Sequence, residues 1–174
     1  LLPMKRLFFI PLSLCAALLA SCSWLSSGPR AYDVEIGYDP STIERFRVFP
    51  SVEVDVAAVD ETTARQLEKT EIDDYFDPAG FIRGSLRKKT FHFSEEDCES
   101  KTLSRKDPVW DSWVGKRRAR FLVLFASLPR DGDKGPDLRK LVLPLDSSRW
   151  DGSEIEVSLV PAGLMLQTPL NPED

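Results

Sequence analysis

The 174-residue sequence holds one histidine, His92, and only three cysteines, Cys15, Cys22 and Cys98. A single histidine excludes a His-rich metal centre, and three cysteines cannot build a disulfide framework. There is no Gly-rich phosphate loop, no cluster of Cys and His ligands and no nucleophile-elbow motif. Basic residues are in deficit, with 23 Lys and Arg against 28 Asp and Glu. The resulting charge of −5 disfavours non-specific binding to nucleic acid. The ordinary balance of apolar, charged, Gly and Pro residues excludes a collagen-like, coiled-coil or wholly disordered chain. The length allows one domain, or one domain with a tail.

What is present begins at the N-terminus. Met4, followed by Lys5 and Arg6, reads as the start of a signal, and the three residues before it as an extended reading frame. An apolar stretch covers residues 7–20, broken only by Pro11 and Ser13. As a helix it spans roughly 21 Å, short of the roughly 30 Å of a bilayer core. It therefore reads as a signal-peptide core and not as a membrane span. It ends in Leu19-Ala20-Ser21-Cys22, which resembles the lipobox of bacterial lipoproteins at all four positions. That resemblance implies a diacylglyceryl group on the Cys22 thiol, cleavage before it and acylation, often with palmitate, of the new amine. The alternative is an ordinary secretory signal with Cys22 incidental. The coincidence of cationic start, apolar core and box at the right spacing favours the lipobox. Two or three acyl chains give stable anchoring. Ser23 rather than Asp after the cysteine implies, by the lipoprotein sorting rule, the periplasmic face of the outer membrane over the inner membrane.

The expected organisation is a signal peptide over residues 1–21, a lipidated N-terminus and flexible tether over 22–30, and a single domain over 31–174. Removing Lys5 and Arg6 with the signal leaves 21 basic against 28 acidic residues, a charge of −7. Only Cys98 then remains as a free thiol, so an ordinary core must hold the fold, which about 150 residues can supply.

The domain alternates as a β protein does. Tyr32, Val34, Ile36 and Tyr38 interleave with Asp33, Glu35 and Gly37, the period of a half-buried strand. Phe46, Val48, Val52, Val54, Val56 and Ala58 form a second run with Glu53 and Asp55 facing the other way. Pro50 marks this run as an edge or a strand start. Residues 60–70 favour helix, with Asp60 or Thr62 as cap. Residues 90–93 form a short strand, followed by the acidic Glu95, Glu96, Asp97 and Glu99. Asp107-Pro108 is a helix-start pattern, and Trp110 and Trp113 share one face of that turn. Residues 121–126, continuously apolar, read as the most buried strand. Residues 141–145, 155–159 and 164–166 complete the set. Seven or so strands with one or two short helices predict an all-β, two-sheet β-sandwich.

Candidate chemistry is sparse. Ser85-Leu86-Arg87-Lys88 matches a Ser-x-x-Lys nucleophile motif, but its companion motifs are absent and the segment precedes a strand, so chance explains it. Asp131-Gly132-Asp133-Lys134-Gly135-Pro136-Asp137 resembles a calcium loop, yet the fifth, sixth and twelfth positions (Gly135, Pro136 and Val142) fail the pattern. A solvated hairpin loop is the favoured reading. His92, between Phe91 and Phe93, is expected at the surface, and Cys98 is expected to be a buried or inert thiol and not a nucleophile. Lys116, Arg117 and Arg118, with Arg120, read as a solvated helix end, with anionic lipid headgroups or an acidic partner as the functional alternative. The Trp110–Trp113 pair is expected in the core. No residue is assigned a catalytic or metal-binding role, and no cofactor is expected beyond the lipid on Cys22.

Several segments together resemble the TssJ family, the outer-membrane lipoproteins of type VI secretion systems. These are the lipobox cysteine, the tether, the alternating strand at residues 32–38, and Pro50-Ser51-Val52-Glu53-Val54-Asp55-Val56. A short helical insert ending near Tyr75-Phe76, the strand Arg120-Phe121-Leu122-Val123-Leu124-Phe125, Arg149-Trp150 and residues 155–159 complete the likeness. The chain departs from that family in a long charged insert over residues 77–104 and in having no Asn before Asn171. The resemblance implies a transthyretin-like sandwich without catalysis, binding an inner-membrane partner, TssM, through that partner's periplasmic part. The expected function is a lipid-anchored docking subunit of an envelope assembly, with exposed loops such as residues 39–49 making the contact. The alternative is a lipoprotein that binds a sugar, peptide or ion, with Trp110, Trp113 and the Asp131–Asp137 loop as its candidates. A hydrolase with an unrecognised site, tested at Ser85 or His92, is the third.

Overall fold

The computed structural model describes residues 28–46, 50–130 and 135–172. Cys22, with the signal and most of the tether, and residues 131–134 of the acidic loop lie outside the described residues.

Period-2 patterning becomes two sheets. Strand β1 (Asp33–Tyr38) buries Val34 and Ile36 and leaves Asp33 and Glu35 partly in solvent. It joins β4 (Lys101–Leu103), β7 (Glu154–Val160) and β8 (Gly163–Leu166) in the order β4-β1-β7-β8. β1 lies parallel to β7, from Asp33 opposite Glu154 to Tyr38 opposite Leu159. The second sheet has the order β3-β2-β5-β6, all antiparallel: β2 (Val52–Val59), β3 (Lys89–Phe93), β5 (Phe121–Ala126) and β6 (Lys140–Pro144).

The inner faces meet in one core. Val34, Ile36, Ile155, Val157 and Leu159 from the first sheet pack on Val54, Val56, Leu122 and Leu124 from the second. The alternate residues of the second sheet (Ala57, Val59, Val123 and Phe125) face outward but are also buried. They form a second apolar cluster with Ala64 and Leu67 of α2 (Glu61–Lys69) and Ile72 and Tyr75 of α3 (Ile72–Phe76). Burial on both faces is why residues 121–126 read as an unbroken apolar run. Among the described residues the outer face of the first sheet has no such cover.

α2 begins at Asp60, whose carboxylate accepts the Thr63 backbone N–H at 2.8 Å, so Asp60 and not Thr62 is the cap. Two further short helices, α1 (Ser41–Phe46) and α4 (Ile82–Ser85), and a π-helical turn (Asp111–Lys116) complete the fold. The result is an all-β two-sheet sandwich carrying short helices.

Three details refine or depart from the sequence-based expectations. Of the two readings of Pro50, an edge or a strand start, the structure supports the second: β2 starts two residues after the proline and is an interior strand between β3 and β5. Asp55 does not face solvent, being 1% exposed. Residues 101–103, within the charged insert, form an edge strand that no apolar run announced.

Candidate functional site

The structure does not assemble the motifs with apparent chemistry. α4 ends at Ser85 and the chain turns extended at Leu86, so Ser85 and Lys88 do not share a helix. The Ser85 hydroxyl donates to the Ile82 carbonyl and the Lys88 ammonium to that of Arg83. His92 is exposed, 3.5 Å from Glu53, with Phe93 buried behind it, as the alternation predicted. Cys98 is free and exposed. Trp110 and Trp113 are buried edge-to-face at 5.2 Å, and their indole N–H groups donate to the Ser104 and Arg87 carbonyls. They belong to the core and offer no ligand platform. Of the acidic loop, the described Asp137 is committed to Arg139. Among the described residues no group of His, Cys, Asp or Glu is placed to hold a metal ion.

Two charged knots fasten the helical insert to the second sheet. Asp55 accepts Arg83 Nε at 2.7 Å, the Tyr75 hydroxyl at 3.0 Å and the Thr90 hydroxyl at 2.5 Å. The same guanidinium reaches Glu53 at 2.5 Å and lies 4.7 Å over the Phe76 ring. The hydrogen bond to Asp55 raises the Arg83 pKa further, and burial followed by the Asp55 charge raises that of Tyr75. Arg139, 3% exposed, forks onto Asp137 at 3.0 and 2.8 Å and reaches Asp73 of α3 at 2.7 Å and the Leu128 carbonyl at 2.9 Å. The Arg139 guanidinium holds the Asp137 carboxyl below its ordinary value. No spacing pattern signals these partnerships, because Asp55 and Arg83, or Asp73 and Arg139, are joined only by the fold.

The basic cluster lies at one end of the sandwich. The π-helical turn closes with Arg117 N–H donating to the Ser112 carbonyl at 3.1 Å and Ala119 N–H to that of Trp113 at 2.9 Å. Between them Arg118 takes φ 54°, a left-handed conformation that costs a non-glycine residue about 1 kcal/mol. Lys116, Arg117, Arg118 and Arg120 are all exposed and make no ion pair among the described residues. Beside them a cleft of about 270 Å³ is lined by Asp60, Thr63, Gln66, Ser85, Arg87 and Arg117 with apolar neighbours. The chain enters the fold at this same end. Arg30 N–H donates to the Leu145 carbonyl, Leu145 N–H to that of Arg120, and Ser147 N–H to that of Gly28. Asp146 couples electrostatically to Arg120, and its carboxyl is held low chiefly by the backbone N–H and hydroxyl of Ser148.

No sequence-family model and no curated protein matches the chain. Solved structures do. The type VI secretion lipoprotein TssJ1 from Pseudomonas aeruginosa superposes with a TM-score of 0.51 at 15% identity, over 84% of this chain and 99% of that one. Serratia marcescens Lip, described as a membrane-bound component of the type VI secretion system, gives 0.51 at 14% identity over 79% and 96%. A chain from a structure described as the TssM C-terminal domain from EAEC gives 0.53 at 14% identity over 78% and 98%. What is shared is the fold. The two-sheet sandwich expected from the strand pattern is the one these secretion components possess.

Proposed function

We propose that this chain is a lipid-anchored structural subunit of a bacterial envelope assembly of the type VI secretion kind. It is held by acyl chains on Cys22 at the periplasmic face of the outer membrane, and it docks the periplasmic part of an inner-membrane partner resembling TssM. Its role is mechanical and not catalytic. The observation that carries the reading is the whole-chain likeness to TssJ1, which covers 84% of this chain and nearly all of that one. Three features support it: the lipobox ending at Cys22, the Ser at position 23, and a core that absorbs the tryptophans a ligand site would have used. Two sheets locked back to back, with charged knots pinning a third layer, suit a part that transmits force without opening.

Crosslinking and affinity recovery from native envelopes, with a tag after Asp174, test the docking role. Recovery of a large inner-membrane protein with a periplasmic domain is expected, and recovery of this chain alone would overturn it. Labelling with radioactive palmitate tests the anchor. The label is expected on the wild type and absent from Cys22→Ser; equal labelling of both would remove Cys22 as the attachment point.

A further inference from the structure

We infer that the basic end of the sandwich, formed by Lys116, Arg117, Arg118 and Arg120, is a docking face for an anionic phospholipid surface that sets the orientation of the anchored domain. The inference rests on the lipid anchor proposed at Cys22.

Two observations carry it. The first is where the chain enters. Gly28 and Arg30 run beside Leu145 and Ser147, and Leu145 is hydrogen-bonded at 2.8 Å to Arg120. Six steps along the chain lead from Cys22 to Gly28. Fully extended they reach about 20 Å, so this end of the domain stays close to the headgroups. β1 then runs away from that end for six residues, and its last residue, Tyr38, sits another ~20 Å distant. A short tether fixes which end is near the bilayer but leaves the domain free to tilt.

The second observation is charge. The chain is acidic overall, yet four exposed cations gather at this end with no ion-pair partner among the described residues. Arg118 keeps its side chain at a position whose backbone favours glycine. Asp60, Glu61, Asp111 and Asp146 lie on the neighbouring elements and offset part of this charge, but none of them forms an ion pair with the four cations; Asp60 and Asp146 direct their carboxylates to the backbone N–H groups of Thr63 and Ser148. At the far end, Glu95, Glu96, Asp97 and Glu99 follow β3. Cations toward the bilayer and acids away from it orient the molecule on a negative surface, over a distance of about one Debye length, ~10 Å.

The test uses the full lipidated protein reconstituted into vesicles of phosphatidylcholine, with or without phosphatidylglycerol. A water-soluble amine-reactive ester labels lysines, and mass spectrometry reads Lys116 against Lys69. Lys69 is exposed on α2 near the far end, where Lys140 donates to the neighbouring Glu68 and Thr70 carbonyls. The same spectra report acylation of the Cys22 peptide, so the anchor is read independently.

Several-fold protection of Lys116 relative to Lys69 is expected in phosphatidylglycerol vesicles, lost in neutral vesicles and at high salt. R117E/R118E is expected to abolish it with acylation intact. The milder R117Q/R118G guards against a folding defect and is expected to weaken it. Equal labelling of both lysines on acylated protein overturns the inference while leaving the anchor standing. Protection that persists in neutral vesicles overturns it in favour of simple crowding. Protection seen in native envelopes but not in vesicles assigns the face to an acidic protein. Absence of acylation removes the anchor and this inference together.

Discussion

Asp55 shows what a single side chain can hide. In Val52-Glu53-Val54-Asp55-Val56 it occupies an outward position, and alternation assigns it to solvent. The sheet is covered on that side, so the carboxylate is buried and made tolerable by Arg83, Tyr75 and Thr90. No spacing rule links residue 55 to residue 83. Removing the acid leaves the Arg83 guanidinium with Glu53 and about a quarter of its exposure, so that partner and solvent absorb part of the loss. Asp55→Ala is expected to cost about 2–3 kcal/mol in urea unfolding, and Asp55→Leu with Arg83→Met less than Asp55→Ala alone. Asp137 makes a pH-dependent case. Its folded pKa lies below the unfolded carboxyl's value of about 3.9. The stability this supplies is present above that value and is lost as pH falls through the lower folded one. Asp137→Asn should therefore be less stable than the wild type at neutral pH, by about 2 kcal/mol, with the gap closing below about pH 4. Chemical unfolding at both pH values reads this directly.

At the scale of elements, legibility tracked how far each segment's environment was written in its own residues. β5 was plain because both its faces are buried, and α2 because a cap and helix formers coincide. β4 was invisible because three residues with one leucine carry no pattern, and its place is set by pairing with β1. Pro50 announced a strand start and not an edge, because it stands before β2 and removes no ladder donor from it. The β7–β8 turn gives a sharp contrast. Gly163 has φ 147°, and an added Cβ would fall 2.2 Å from the Leu138 carbonyl oxygen, while at Gly37 nothing lies within 4 Å. Gly163→Ala is expected to cost several kcal/mol in thermal or urea unfolding and Gly37→Ala under about 1 kcal/mol. The cap of α2 predicts a loss of about 1 kcal/mol for Asp60→Ala.

For the whole molecule, the sequence was informative about architecture and poor about surfaces. Alternating strands with scarce helix foretold the two-sheet sandwich. The third layer, the order of strands and the clustering of cations beside the chain's entry point arise from contacts between distant segments, which periodicity does not encode. A docking surface of the kind proposed leaves only charge and shape, distributed over the chain.

The parallel pairing of β1 with β7 also sets a schedule. Asp33 and Glu154 are neighbours across 121 positions of sequence. During synthesis, N-terminus first, one flank of β1 has no mate until almost the entire chain has emerged. Loop closure on that scale is slow, so the first sheet completes late. Until then an alternating, apolar-faced strand with unpaired amides stands open to mispairing with its sister chains. A nascent copy of this protein therefore needs an escort for β1, or dilution, until its own C-terminal third arrives.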